Sequence, residues 1–339
     1  MEPIFIIGTE RSGTNLLRLI LNCHSNIAIP HPPHIMKNFF ALEKLYSDLT
    51  DDKNFRRLID DVITSVVLHP YPWDIKLSKE KIFESVKERN LINVFFAIYQ
   101  QYLESTHKIR WGCKSTFMIN HVALIRRYYP RAKYLYMVRD GRDVAVSAKD
   151  SIFNHFHVYY TARLWKDEQQ MGISWLNQLS KDEIFLIKYE ELLKDFKGVI
   201  QSICSFLNEP FQDAMLCYQE SDEARKSSSI STAWRNTAKP LIKDNAGRFK
   251  DKLNFKEIDL FERIAASELN YFSYELSNPF HSLESERRKG VKFRIRYLIE
   301  EILLLVKVQI KHFFTDKNNF LRYRKFWFIK GIRILRTLQ

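Results

Sequence analysis

Glycine is scarce in this chain, with nine in 339 residues. Two of the nine, Gly8 and Gly13, lie within six positions near the start, so backbone freedom is concentrated there. The four cysteines (Cys23, Cys113, Cys204, Cys217) show no close spacing. That argues against a zinc site or a disulfide framework and for buried free thiols. No stretch of about 18 uncharged apolar residues occurs, so no spanning helix is expected. The apolar run Ile4–Ile7 is too short for a signal peptide and leads directly into a loop, which makes a cytoplasmic protein the expectation.

A dominant charge sign is also missing from most of the chain. The net charge is +13, but Arg287–Gln339 holds 15 basic and three acidic residues, which leaves 38 basic and 37 acidic residues elsewhere. The sequence reads as a near-neutral body with a strongly basic tail.

Pro3–Ile7 is a short continuous apolar run ending at glycine, the pattern of a buried parallel strand. Asn15–Asn22 reads as a helix. Strand, glycine-bearing loop, helix is an order that holds phosphate, because free backbone N–H groups and the helix dipole converge on the loop. A polar and aromatic helical region follows from about Ile35 to His107, broken by the turn His69-Pro70-Tyr71-Pro72. Further on, the pattern predicts a helix over His121–Tyr129, a strand over Lys133–Val138, a helix over Thr161–Leu179, a strand over Ile184–Ile187 and a helix over Glu190–Phe206. Strands alternating with helices imply an α/β fold with a parallel sheet covered on both faces. Ser221–Ser231, polar and serine-rich, reads as a mobile loop.

Two motifs carry chemistry. The first is Gly8-Thr9-Glu10-Arg11-Ser12-Gly13-Thr14-Asn15, a P-loop-like turn without the Gly-Lys-Ser/Thr ending of nucleoside triphosphatases. Its backbone amides and the hydroxyl of Ser12 or Thr14 suit a dianion; the plainer alternative is a strand-to-helix turn with an incidental arginine. The second is Val138-Arg139-Asp140-Gly141-Arg142-Asp143, with Ser147 two turns into the following helix. Arg139 and Ser147 can grip a second phosphate, or the arginines and aspartates can pair with one another as a surface turn.

Together, in this order and strand context, the motifs resemble the 5′-phosphosulfate loop and the 3′-phosphate motif of the sulfotransferase family. Leu186-Ile187-Lys188-Tyr189-Glu190-Glu191-Leu192 resembles a further family segment, so the similarity covers most of the first 210 residues. The resemblance implies a P-loop-like three-layer fold with a central parallel sheet flanked by helices. It implies 3′-phosphoadenosine 5′-phosphosulfate (PAPS) as cofactor and no metal. Arg11, Ser12, Gly13, Thr14 and Asn15 would then contact the 5′-phosphosulfate, Arg139 and Ser147 the 3′-phosphate, and Tyr189 the adenosine. Lys114 matches the family lysine that donates to the bridging oxygen as its bond to sulfur breaks. Ser227–Ser231 and Lys239-Pro240 resemble the loop that closes over the cofactor.

The sequence departs from the family at the base. Enzymes acting on small phenols and steroids place a histidine two residues after the strand lysine, where this chain has Thr116. Tyrosylprotein-type and many bacterial relatives place a glutamate where this chain has Pro32, inside Pro30-His31-Pro32-Pro33-His34. A neutral imidazole can take the proton of an acceptor hydroxyl near neutral pH. His34 is favoured over His31 because it starts the next helix. Alternatively both imidazoles line the pocket, and Glu43 or a remoter group is the base. His121, His155 and His157 read as satisfied or solvated.

The tail combines Phe326, Trp327, Phe328, Ile332 and Leu335 with Arg322, Arg324, Lys325, Lys330, Arg333 and Arg336. Such interleaving suits a helix at an anionic membrane surface, a helix packed on the body, or, without any supporting motif, nucleic acid. The expected organisation is a catalytic domain over 1–280 and a basic amphipathic helical tail over 281–339. Aromatic content of 14% and the tail favour a lipophilic acceptor such as a sterol or glycolipid. A protein tyrosine or glycan acceptor, a P-loop kinase, and an inactive membrane-associated nucleotide-binding protein are the alternatives.

Overall fold

The computed structural model describes residues 1–149, 151, 155–230, 234–277, 291–316 and 318–337. In chain order its elements are β1 (Ile4–Gly8), α1 (Thr14–Asn22), β2 (Ile27–Ala28), α2 (Ile35–Phe39), α3 (Asp52–Val67), α4 (Lys79–Ser85), α5 (Leu91–Glu104) and β3 (Arg110–Lys114). Then come α6 (Val122–Tyr128), β4 (Lys133–Val138), α7 (Gly141–Lys149), α8 (Val158–Gln178), β5 (Ile184–Lys188), α9 (Tyr189–Lys194) and α10 (Phe196–Leu207). The last are α11 (Asp222–Ile230), α12 (Phe249–Lys252), α13 (Phe255–Tyr271), α14 (Val291–Thr315) and α15 (Asn319–Thr337).

The strands pair in parallel in the order β2-β3-β1-β4-β5. Side chains alternate across the sheet, as strand geometry demands. Phe5 and Ile7 of β1, with Tyr134, Tyr136 and Val138 of β4, join a core shared with α3, α5, α8 and α13. Ile4 and Ile6, with Leu135 and Met137, join a second core with α1 and α10. This is the expected three-layer α/β arrangement. The chain winds one way from β1 to β3 and the other way through β4 and β5, so the carboxyl ends of β1 and β4 flank the crevice where such sheets bind ligands.

Three local expectations change. The helix expected over Glu190–Phe206 is two helices, because the Asp195 side chain accepts from Gly198 N and starts α10 afresh. The serine-rich segment is helical over Asp222–Ile230 as α11. Buried Arg18 on α1 reaches it with an ion pair to Glu223 and a 3.0 Å bond to Ser227 Oγ, a tertiary anchor that composition does not reveal. The basic tail forms two helices with separate anchorage. Glu301 of α14 accepts from the backbone N of His157 at 2.7 Å, and His155 and His157 pair with Glu301 and Glu300. On α15, Arg336 pairs with Asp61 of α3 at 2.9 Å and Ile332 is buried. The expected boundary at 281 falls outside the described residues. Among the described residues no helix is long and apolar enough to cross a membrane.

Candidate active site

The carboxyl ends of β1, β3 and β4 lie side by side: Ile6 is in register with Lys114, and Gly8 with Met137. The loop after β1 must turn sharply into α1, and it does so with left-handed backbone at Arg11 (φ 71°) and Gly13 (φ 95°). A Cβ on Gly13 would stand 2.5 Å from the Tyr189 ring, so only glycine lets the loop and the start of α9 approach this closely.

Arg139, one residue past β4, is held from several sides. Its guanidinium donates to Arg11 O at 3.3 Å and Asn245 O at 2.6 Å, and it lies 4.5 Å from the Tyr189 ring centroid. Asn245 Nδ2 donates to Tyr189 Oη at 2.7 Å. Arg11 Nε donates to Ser147 Oγ at 3.0 Å, so the two sequence motifs meet directly. Burial, and then the neighbouring Arg139 charge, push the Arg11 guanidinium down to about 10. Lys114 is also buried and is pushed down to about 8, first by burial and then by Arg18. Arg139 also pairs with Asp143 at 3.4 Å, and Glu10 acts on both Arg11 and Lys114. Buried cations still outnumber these carboxylates, which favours a polyanion in the crevice. Ser12 Oγ, Asn15 Nδ2 and Arg139 Nε are buried without a hydrogen-bond partner among the described residues. These orphaned groups fit the phosphate and sulfate oxygens of PAPS.

The segment Ile29–His34 lies across the loop from α1. Its prolines remove N–H donors, and side chains satisfy its carbonyls: Arg18 bonds Ile29 O (3.3 Å), Trp73 bonds His31 O (2.8 Å) and Lys325 bonds Pro33 O (2.7 Å). His31 stacks on Tyr71 at 4.6 Å, with His69 at 5.2 Å, and His34 lies 6.2 Å from His69, ring centroid to ring centroid. Both His31 ring nitrogens and His34 Nδ1 are buried without a partner among the described residues, whereas His69 Nδ1 is engaged by the Tyr71 backbone. Burial holds all three imidazoles well below the usual histidine range; His69 and Lys114 add to it at His31 and His34, and Lys325 and Lys114 add to it at His69, so the three are neutral near pH 7. Among the described residues no group of three His, Cys, Asp or Glu side chains is arranged to hold a metal ion.

These groups surround one cavity of about 780 Å³. Arg11, Gly13, Thr14, Asn15, His31, His34, Lys114, Arg139, Ser147 and Tyr189 all line it, and Ser12 lies buried within the loop. Lys239 is not brought in: its side chain is exposed, and Arg248, bonded to Asn245 Oδ1 at 3.1 Å, lines the wall beside Tyr189. Glu43 does not line the cavity either, since its carboxylate accepts from Leu91 N at 2.6 Å. Sequence reasoning missed His69, although its turn was visible, and it missed the contribution of α15. Arg322, Lys325, Phe326, Ile329, Lys330 and Arg333 recur every three or four residues and line the cavity as one helix face.

A family model described as "Sulfotransferase family" matches residues 3–213. Protein-tyrosine sulfotransferase 1 of Danio rerio is 24% identical over 242 residues, covering 70% of this chain and 61% of that protein. Protein-tyrosine sulfotransferase of Drosophila melanogaster is 25% identical over 230 residues, covering 65% of this chain and 40% of that protein. The chain thus spans less than two thirds of the length of these relatives. The sulfotransferase domain of the Synechococcus PCC 7002 olefin synthase shares the fold, with a TM-score of 0.55 at 20% identity, covering 81% of this chain and 96% of that one. The matched span holds both sequence motifs, Gly8–Asn15 and Val138–Ser147, with the strands that carry them, and the chain belongs to the sulfotransferase family.

Proposed function

We propose that the protein transfers the sulfuryl group of PAPS to a hydroxyl of a lipophilic acceptor. The observation that carries this reading is the meeting of Arg11 and Arg139 beyond adjacent strand ends, where Arg139 donates to Arg11 O and Arg11 Nε donates to Ser147 Oγ, with buried Lys114 on the other side of β1. When bound, PAPS supplies the sulfuryl group, whose bond to the bridging phosphate oxygen breaks as the bond to the acceptor oxygen forms. Arg11, the loop amides and Ser12, Thr14 and Asn15 hold the 5′ group; Arg139 and Ser147 hold the 3′-phosphate; Tyr189 packs at the nucleoside. Lys114, poised at about 8, donates toward the bridging oxygen and offsets the charge that builds there. His34 takes the hydroxyl proton and His31 supports it, both being neutral before the step.

Apolar lining by Leu16, Ile230, Trp234, Phe326 and Ile329 supports a lipophilic acceptor. The exposed side chains of Leu303, Phe313, Phe314 and Trp327, set among basic residues on α14 and α15, support peripheral association with an anionic bilayer. The protein-tyrosine sulfotransferases among its relatives favour a second reading, in which the acceptor is a tyrosyl peptide. A labelled transfer assay with PAPS against a lipid extract, a peptide pool and a glycan pool separates these: label in the lipid fraction supports the first, and label confined to peptides installs the second.

A further inference from the structure

The cavity is unevenly charged at the end away from the nucleotide motifs. Arg11, Lys114, Arg139 and Arg248 belong to the nucleotide end, and Lys37 is paired with Glu10 at 3.4 Å, the only lining carboxylate among the described residues. That leaves the cations of α15. Arg322 is paired with Asp316. Lys325, Lys330 and Arg333 make no ion pair among the described residues: Lys325 bonds only Pro33 O, and Lys330 lies 5.0 Å from the Phe326 ring centroid. Lys325 is 8% exposed, and burial pushes its ammonium down to about 7; beside a carbonyl and the neutral imidazoles of His34 and His69, its charged form is costly unless an anion arrives. Phe326 and Ile329 stand on the same helix face, so the wall offers apolar surface and unpaired positive charge together.

We propose that this face of α15 is an anion-reading subsite for the acceptor, which is an acidic amphiphile carrying a carboxylate or phosphate on the same molecule as its hydroxyl. The inference rests on the reading that a lipophilic hydroxyl enters this cavity, and it adds the second charge. Lys325 is placed to bind the anion beside Pro33, where the same contact sets the distance between acceptor and His34. Lys330 and Arg333 hold it nearer the mouth, where they are exposed.

The test compares an ω-hydroxy fatty acid with the diol of equal chain length, as acceptors and as equilibrium ligands of the full-length enzyme loaded with 3′,5′-adenosine bisphosphate (PAP). A charge-assisted contact predicts roughly 10- to 100-fold preference for the acid in kcat/KM and in Kd. K330Q combined with R333Q, at exposed positions that do not endanger folding, lowers the acid-to-diol ratio several-fold, and Lys325→Gln lowers it further. Equal use of acid and diol leaves the lipophilic reading standing and overturns the anion subsite. Transfer to neither, with transfer to a tyrosyl peptide, removes the lipophilic reading and this inference with it. If no acceptor tested is turned over, binding decides: failure of the PAP-loaded enzyme to bind the acid more tightly than the diol overturns the proposal.

Discussion

Arg11 and Ser147 stand 136 residues apart in sequence and share one hydrogen bond, Nε to Oγ at 3.0 Å, between the two strand-end motifs. In the proposed reading, Arg11 belongs to the loop that receives one anionic group and Ser147 to the helix that receives the other. The bond therefore fixes the spacing between the two anion positions before any ligand arrives, a form of preorganisation. Ser147→Ala should weaken PAP binding by roughly tenfold, the loss of one charge-assisted bond, while binding of AMP changes little. Calorimetric titration of both nucleotides reads this; an equal loss for both would make Ser147 a general prop of the loop.

In the proposed reading, Lys114 connects protonation to nucleotide binding. Its folded value of about 8 lies below the usual lysine value of 10.5, with burial as the main cause. A bound polyanion beside it favours the charged form, so PAP binding near pH 8 should take up a proton. Titrations in buffers of different ionisation enthalpy measure that uptake, and Lys114→Met should abolish it. In the absence of ligand the sign for stability is the reverse of a salt-bridged lysine. The unfolded chain holds the proton more tightly, so this residue's destabilisation is full below about 8 and is relieved as pH rises toward 10.5. In turnover, Lys114→Ala should lower kcat far more than it weakens PAP binding.

The histidines give an acid limb. His34 and His31 are held well below 6.5 by burial first, and the proposed base acts in its neutral form. The rate should therefore hold from pH 7 down through 6.5 and fall only in more acidic buffer. His34→Ala should cut transfer by roughly 10²–10⁴-fold with PAP affinity kept, and His31→Ala should be milder. Near-normal rates in the double variant on a weakly acidic alcohol would remove the histidines from the mechanism.

Much of this was legible in the sequence because it is local. The strand β4 follows its expected Lys133–Val138 bounds, and the glycine-bearing turn at Gly8–Gly13 is dictated by residue type. The unread parts depend on distant partners. No pattern near Ser221–Ser231 announces a helix, since what fixes α11 is Arg18 on α1, buried beneath it. His69 joins His31 only because the turn at Pro70 folds back across the proline-rich segment. The tail's charge and amphipathic period were visible, but the cavity face of α15 is set by Lys325–Pro33 and Arg336–Asp61, contacts 292 and 275 residues apart in sequence.

That anchorage changes what can be asked of the tail. Deleting Arg287–Gln339 would remove a cavity wall and leave Asp61 without Arg336, so loss of activity would say nothing about membranes. Leu303→Asp with Phe314→Asp alters only exposed positions of α14, 64% and 80% accessible. The double variant should leave anionic vesicles at low salt while its thermal stabilisation by PAP persists. Unchanged sedimentation with vesicles would exclude this face as the contact.

The central claim is that Arg11 and Arg139 serve two separate anionic groups of one nucleotide, and its most direct measurement is a thermal shift with PAP beside AMP. PAP should stabilise the full-length protein strongly and AMP much less, and Arg139→Gln should reduce the PAP shift to the AMP level. Arg11→Gln should lower both shifts, because both ligands carry the 5′ group. Equal stabilisation of the wild type by the two nucleotides, unchanged by either arginine substitution, would contradict the account.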